Sequence, residues 1–427
     1  MKIQVHSAIS KGEIRTDQLA EWAFVLYFSN AMFRALFRTV FGISRSMNMA
    51  IMVLPLLPVL LICFKNPRKY VKWDFVFLFF GVVIFFGFTL LLHPDYKFYY
   101  NRSSFGVWDH VLKPGSGIYA YLFIRLIGEP KRIMKCMRTS GWLLMPYFIY
   151  QVYRGEWTTV GATGYNTESS YSVAFGYSVL VYVLIFLYSA LKEKKIAYYA
   201  AALINTGLIL LGGSRGPILF IGLFAVLYVL LYTKNSRKRA FIVFPVTAGV
   251  FLVYTFYVPV LNGLMNLLNS LGLSSRFIRM LLKGNIANDN NRYLLWSVAV
   301  QMIIANPFGY GAMGSRQKMY KYIFAAYPHS IILEFLIDYG VLIGGALLIF
   351  MFRNAFSILF SKKKQDWCGI FLCFFSAACC MLISLTYWAR FEFWACLALG
   401  VCSYYDLKHK KKDGLSEPTN PTDPTNL

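Results

Sequence analysis

The chain has 427 residues, 58% of them hydrophobic, 18% aromatic and 15% charged, with a formal net charge of +24. Soluble domains carry about 25% charged residues, so a sizeable soluble domain is excluded. The basic excess falls in short loops between apolar runs, which is the pattern of membrane orientation and not of a nucleic-acid-binding face.

Residues 1–18 are polar and of mixed charge and read as a cytosolic tail. A helix needs about 20 apolar residues to cross about 30 Å of hydrocarbon. Apolar runs predict spans at 19–40, 47–64, 74–92, 116–128, 139–153, 171–190, 196–212, 216–232, 240–258, 329–351, 367–386 and 388–405. The first carries Arg34 and Arg38, and the short fourth carries Arg125. The expected fold class is therefore an all-α polytopic membrane protein of about 12 transmembrane helices with a large helical outer loop.

Loop charge sets the orientation. One side holds Lys65 to Lys69, Lys131 to Arg138, Lys192 to Lys195, Lys234 to Arg239, Lys362 to Lys364 and Lys408 to Lys412, and is cytosolic by the positive-inside rule. The other side holds 93–115, 154–170, 213–215, 259–328 and a turn near 387, all of mixed charge. The organisation that follows is a cytosolic tail (1–18), nine helices (19–258), an extracytoplasmic loop (259–328), three helices (329–405) and a disordered Pro/Thr-rich cytosolic tail (406–427). The eight cysteines fall in apolar runs or cytosolic loops and read as small buried hydrophobes, with no disulfide framework or metal site.

The turn Leu211-Gly212-Gly213-Ser214-Arg215-Gly216-Pro217 joins two apolar runs with almost no loop. An arginine at membrane depth needs a partner, and the Arg215 fork suits a phosphate. The alternative is an arginine snorkelling from a tight hairpin.

Residues 259–328 are too long for a passive connection. Val258 to Leu273, broken by Pro259, Gly263 and Gly272, is expected along the membrane surface. Ser274-Ser275 is a cap for a short helix carrying Arg276, Arg279 and Lys283. Asn288-Asp289-Asn290-Asn291 predicts a cap for a helix from Arg292 to Ala305, stopped by Pro307. Arg292 then sits in a first turn, where free amides and the dipole favour an anion.

The next segment, Asn306 to Gly314, contains G-x-G-x-x-G, but it follows a helix where a dinucleotide site needs a strand. Flexible glycines admitting a bulky ligand, or a plain turn, are the readings left. Tyr327-Pro328-His329-Ser330 directly precedes the apolar run from Ile331 and places His329 at the outer membrane boundary. A neutral imidazole there is either a general base or a helix-capping loop residue. Glu334 and Asp338 share one helix face and either orient His329 or an arginine, or form a structural ion pair. Gly340 and Gly344 make a small-xxx-small packing face.

The turn around Arg215, Arg292 in Asn-Arg-Tyr-Leu-Leu-Trp, the Asn-Pro-Phe-Gly-Tyr-Gly turn, and His329-Ser330 followed by Gly340 occur in this order over roughly residues 205–350. Together they resemble the O-antigen ligase and O-antigen polymerase superfamily of bacterial envelope enzymes. The resemblance implies a GT-C-like membrane glycosyltransferase of the bacterial cytoplasmic (inner) membrane. Such an enzyme takes an undecaprenyl-pyrophosphate-linked glycan from the outer leaflet and passes it to an acceptor glycan, without nucleotide, metal or other cofactor.

It further implies that Arg215 and Arg292 hold the pyrophosphate and that His329 is essential, with Arg276, Arg279, Arg316 and Glu334 as further substrate-binding candidates. A flippase and a chain-length regulator are the protein partners this function would call for, and nucleic acid is not one. Polymerisation of repeat units for O-antigen, capsule or exopolysaccharide is the leading reading. Ligation to a lipid A core is the alternative in the same class. A flippase or secondary transporter is the rival from another, disfavoured because the charges gather toward one face and not at the midplane.

Overall fold

The computed structural model describes residues 16–42, 45–102, 106–155, 157–160, 166–169, 172–212, 214, 216–233, 262–263, 265–267, 269–270, 282, 292–323 and 327–412. The expected span at 240–258 lies outside the described residues, as do Arg215, Arg276 and Arg279.

Among the described residues the protein is helical, with one antiparallel hairpin, Trp157–Val160 paired with Asn166–Ser169, between helices Pro130–Arg154 and Val173–Glu193. Five helices among the described residues are long and apolar enough to cross a membrane: Met47–Lys65, Trp73–Leu92, Ala174–Glu193, Ile331–Phe360 and Gln365–Leu382. Ile196–Leu211, Gly216–Tyr232 and Arg292–Ala305 are apolar but shorter. The polytopic reading stands, while the expected twelve spans meet five helices of spanning length.

Particular residues account for the difference. The first expected span is two helices, 16–28 and Asn30–Phe41, parted at Ser29. The fourth is Tyr119–Ile127, nine residues and so roughly 14 Å long, buried on almost every side. The fifth belongs to Pro130–Arg154, which is long enough but carries Lys131, Arg132, Lys135 and Arg138 in its first turns.

Burial sorts centre from rim. Most of the apolar stretch of helices 174–193 and 365–382 is buried, 72% of its residues in each, against 11% in Trp73–Leu92, so the first two form the centre and the last faces outward. Helix 173–193 packs on helices 196–211, 216–232 and 365–378. Phe391–Lys412 packs on Tyr119–Ile127 and on the 365–378 helix.

Helix Ile331–Phe360 is broken at Gly340, where φ is 78° and ψ 170°. The part after the break has 20 residues and spans about 30 Å by itself. The part before it, residues 331–339, is free to belong to the outer region. Segment 307–311 docks edge-on to this break. Tyr310 N–H donates to the Ile337 carbonyl at 2.7 Å, Gly311 N–H to Asp338 at 3.0 Å, and Val341 N–H to Pro307 at 2.8 Å.

The two glycines at the crossing leave no room for side chains. A Cβ on Gly340 would lie 2.5 Å from the Phe308 carbonyl, and one on Gly309 2.5 Å from the Gly340 nitrogen. The Gly-rich segment is thus a packed turn, not a flexible ligand loop. Gly340 serves a helix break where a helix–helix packing face was expected, and Gly344 packs against Phe335 of the same helix.

Candidate functional site

The helix expected after the Asn-rich segment is described over Arg292–Ala305. His329 sits just before the other helix of the site, at φ +54°. Left-handed backbone costs a non-glycine residue about 1 kcal/mol, and histidine is among the types that tolerate it. The conformation, together with Pro328, turns the imidazole back onto Tyr327, with ring centroids 4.4 Å apart.

His329 Nδ1 is buried and has no hydrogen-bond partner among the described residues. Burial first, and then the positive charge of Arg292, press its pKa down from 6.5 to about 4. The ring is therefore neutral at physiological pH, with a nitrogen open for a proton. Burial likewise pushes the Tyr327 phenol up to about 12, so it stays protonated.

Tyr177, in helix Val173–Glu193, ties this pair to the glycine-rich turn around position 215. Its ring lies within electrostatic reach of Arg292. Its hydroxyl fills the place a Cβ on Gly216 would need. Ser214, on the other flank, is buried against Gly176, whose Cβ would lie 2.6 Å from that of Ser214. Both neighbours of position 215 thus rest on residues 176–177, beside Arg292.

A further arginine closes the same side. Arg390 is buried and ion-paired with Glu392. Its Nε donates to Glu392 at 2.9 Å and an Nη donates to the Tyr177 carbonyl at 3.1 Å.

Arg316 stands apart from this surface. It follows the packed turn, in helix Gly314–Ile323, and is 0% exposed. Its guanidinium lies over the Tyr327 ring at 5.8 Å and in the field of Glu334 and Asp338. Burial lowers its pKa, and those acids oppose the loss. Glu334 accepts from Thr386 Oγ1 at 2.6 Å, and Asp338 from Tyr387 OH at 3.1 Å and Trp388 Nε1 at 3.2 Å. An incoming anion cannot touch Arg316 or Glu334 without displacing that turn. Of the two groups the acidic pair was expected to orient, it lies in the field of Arg316, while the charge felt by His329 is that of Arg292. His110 adjoins the cluster too. Its Nδ1–H donates to the Gly106 carbonyl at 3.1 Å, and burial with the Arg316 charge lowers its pKa to about 3.

Sequence reasoning did not single out Tyr177, Tyr327 or Arg390. Arg390 carried a local signal in its Arg-x-Glu spacing with Glu392 inside an otherwise apolar run. Tyr177 carried none, because its role depends on helices distant in sequence.

Among the described residues the assembled elements are a neutral imidazole with an unpartnered nitrogen, the Arg292 guanidinium, and Ser214 and Gly216 resting on residues 176–177, with Tyr177 in the field of Arg292. Such a set can bind an anionic leaving group and accept a proton from a nucleophile. Residues 200–350 match the family model described as O-antigen ligase, a segment that contains the turn at 211–217, Arg292, the packed glycine turn and His329. No curated protein matches the chain.

Proposed function

We propose, from the match of residues 200–350 to the family model described as O-antigen ligase, that the chain joins oligosaccharide repeat units carried on undecaprenyl pyrophosphate. The reaction takes place at the outer face of the bacterial cytoplasmic membrane. The observation that carries this reading is the juxtaposition of His329, its Nδ1 unpartnered, with Arg292.

The chemistry follows from the charges. The acceptor hydroxyl attacks the anomeric carbon of the donor glycan as the bond from that carbon to the pyrophosphate oxygen breaks. Arg292, with Arg215, stabilises the charge gathering on the pyrophosphate, and the hydroxyl proton passes to His329. A donor pyrophosphate also cancels the field of Arg292, which raises the basicity of His329 at the moment a base is needed. Arg276 and Arg279 extend the anion site from the loop 259–328, which the distribution of basic loops assigns to the outer face.

Arg316 and Glu334 act from behind in this scheme, holding the 307–314 turn and the 383–390 turn around the site. A flippase supplies the donor, and a chain-length regulator meets the product.

Polymerases are the more numerous and more divergent members of the superfamily, which sets the first reading. Ligation of a finished glycan to a lipid A core is the second, favoured by the description of the matching family model. One experiment separates them: His329→Ala in the native host, with surface glycans resolved on a gel. Single repeat units on the acceptor mark a polymerase. Bare acceptor with lipid-linked chains accumulating marks a ligase. Long chains of normal length reject both.

A further inference from the structure

A cleft of about 930 Å³ runs between helices 341–360, 365–378 and 391–412, roofed by Asp74, Phe77 and Tyr121. It is not part of the site at His329. Helix 391–412 lines it with Phe393, Cys396, Leu397, Gly400, Val401, Tyr404 and Tyr405, a strict i, i+3, i+4 repeat and so one continuous face. That face covers twelve residue steps, or about 18 Å, which is a little over one leaflet of a roughly 30 Å hydrocarbon core.

The two ends differ. The outer end is closed by Ile331, Met381, Leu382 and Phe393, all apolar. The polar lining residues Asp74, Asn354, Lys364, Tyr404 and Tyr405 gather at the other end, beside the run Lys362-Lys363-Lys364.

Charge at that end is positive on balance. Asp74 is neutralised by Arg125, whose Nε donates to it at 2.6 Å. Lys364 donates to a hydroxyl, Ser357 Oγ at 3.0 Å, and has no acidic partner among the described residues. Basic pockets between spans on the cytosolic side suit anionic lipid headgroups, and a cavity of this size lies at the upper end of the roughly 300–1,000 Å³ typical of ligand sites.

We propose that this cleft is a site for one anionic glycerophospholipid of the cytosolic leaflet, its phosphate at Lys364 and an acyl chain along the 393–405 face. The one-leaflet depth and the single polar mouth favour this occupant over a polyprenyl chain, whose pyrophosphate would meet the apolar outer end.

The test is native mass spectrometry of the full-length protein in mild detergent, incubated with phosphatidylglycerol or phosphatidylcholine. One phosphatidylglycerol is retained, at least about fivefold over phosphatidylcholine. Lys364→Ala reduces that preference to parity. Gly400→Phe loses both lipids, because a Cβ there has ordinary room, 3.8 Å from Ile358, and the ring fills the groove. Size-exclusion profiles check that Gly400→Phe folds, and the surface change at Lys364 decides the matter if it does not. Equal retention of the two lipids by the wild-type chain overturns the proposal. So does a phosphatidylglycerol preference unmoved by Lys364→Ala, or displacement of the phospholipid by polyprenyl phosphate.

Discussion

Replacing Gly340 with alanine tests how the site is supported. At φ 78° and ψ 170° the backbone occupies a region open essentially to glycine alone, and holding another residue there costs about 1–3 kcal/mol. The added Cβ would also stand 2.5 Å from Phe308 backbone atoms and 2.7 Å from the Pro307 oxygen. Backbone on both sides cannot yield as a flexible side chain would, so segment 307–311 must withdraw. That movement strains the three bonds it makes at 2.7, 3.0 and 2.8 Å, each contributing about 1 kcal/mol net. The total is about 3 kcal/mol or more, enough to lower the melting temperature in detergent by several degrees.

Gly345→Ala is the control. It lies five positions along the same helix with nothing within 4 Å of the new carbon, and a helical Gly→Ala change there is neutral or slightly stabilising. Thermal melts of both variants, read beside glycan transfer, give the comparison. Equal melting temperatures for Gly340→Ala and Gly345→Ala would refute the packed break as the support of the site.

Acidification is a second test. The folded pKa values of His329 and His110, about 4 and about 3, lie below the ordinary 6.5. At these two positions the unfolded chain therefore binds protons first, and each histidine on its own lowers stability by about 2 kcal/mol at pH 5. Burial raises Glu334 and Asp338 and acts with the opposite sign, so the check is the melting-temperature difference between wild type and His329→Ala from pH 7 to 5, and a difference that does not move with pH contradicts it. Arg292→Gln removes a charge that lowers the His329 pKa, so the pH midpoint for carbethoxylation of His329 rises. An unchanged midpoint means the two are not neighbours. Gly216→Ala places a methyl on the Tyr177 hydroxyl and is expected to cut transfer about tenfold or more. Adding Tyr177→Phe to that variant restores part of the loss, unless the hydroxyl is not what the methyl meets.

Legibility in the sequence followed the range of the contacts. The C-terminal end of helix 292–305 was readable because its stop signal, Pro307, is local. The break at Gly340 was not, since the residue that forces it, Phe308, is 32 positions away and the glycine looks the same in a helix face. Arg316 sits in the polar stretch Gly314-Ser315-Arg316-Gln317-Lys318, which reads as surface, until the turn Thr386–Trp388 and the two acids of helix 331–339 close over it. Tyr119–Ile127 is apolar enough to pass for a span, but nine residues cannot cross a bilayer. His329 was nominated from its place before an apolar run. Its left-handed backbone and open Nδ1 come from packing that no short motif encodes.

The most direct measurement is turnover by the purified chain on a short polyprenyl-pyrophosphate oligosaccharide, comparing His329→Ala and Arg292→Gln with wild type across pH. A base and a leaving-group partner acting in the transition state predict losses of about 10²-fold or more in kcat for each variant, with little change in KM. Wild-type kcat in His329→Ala would contradict the proposed chemistry outright.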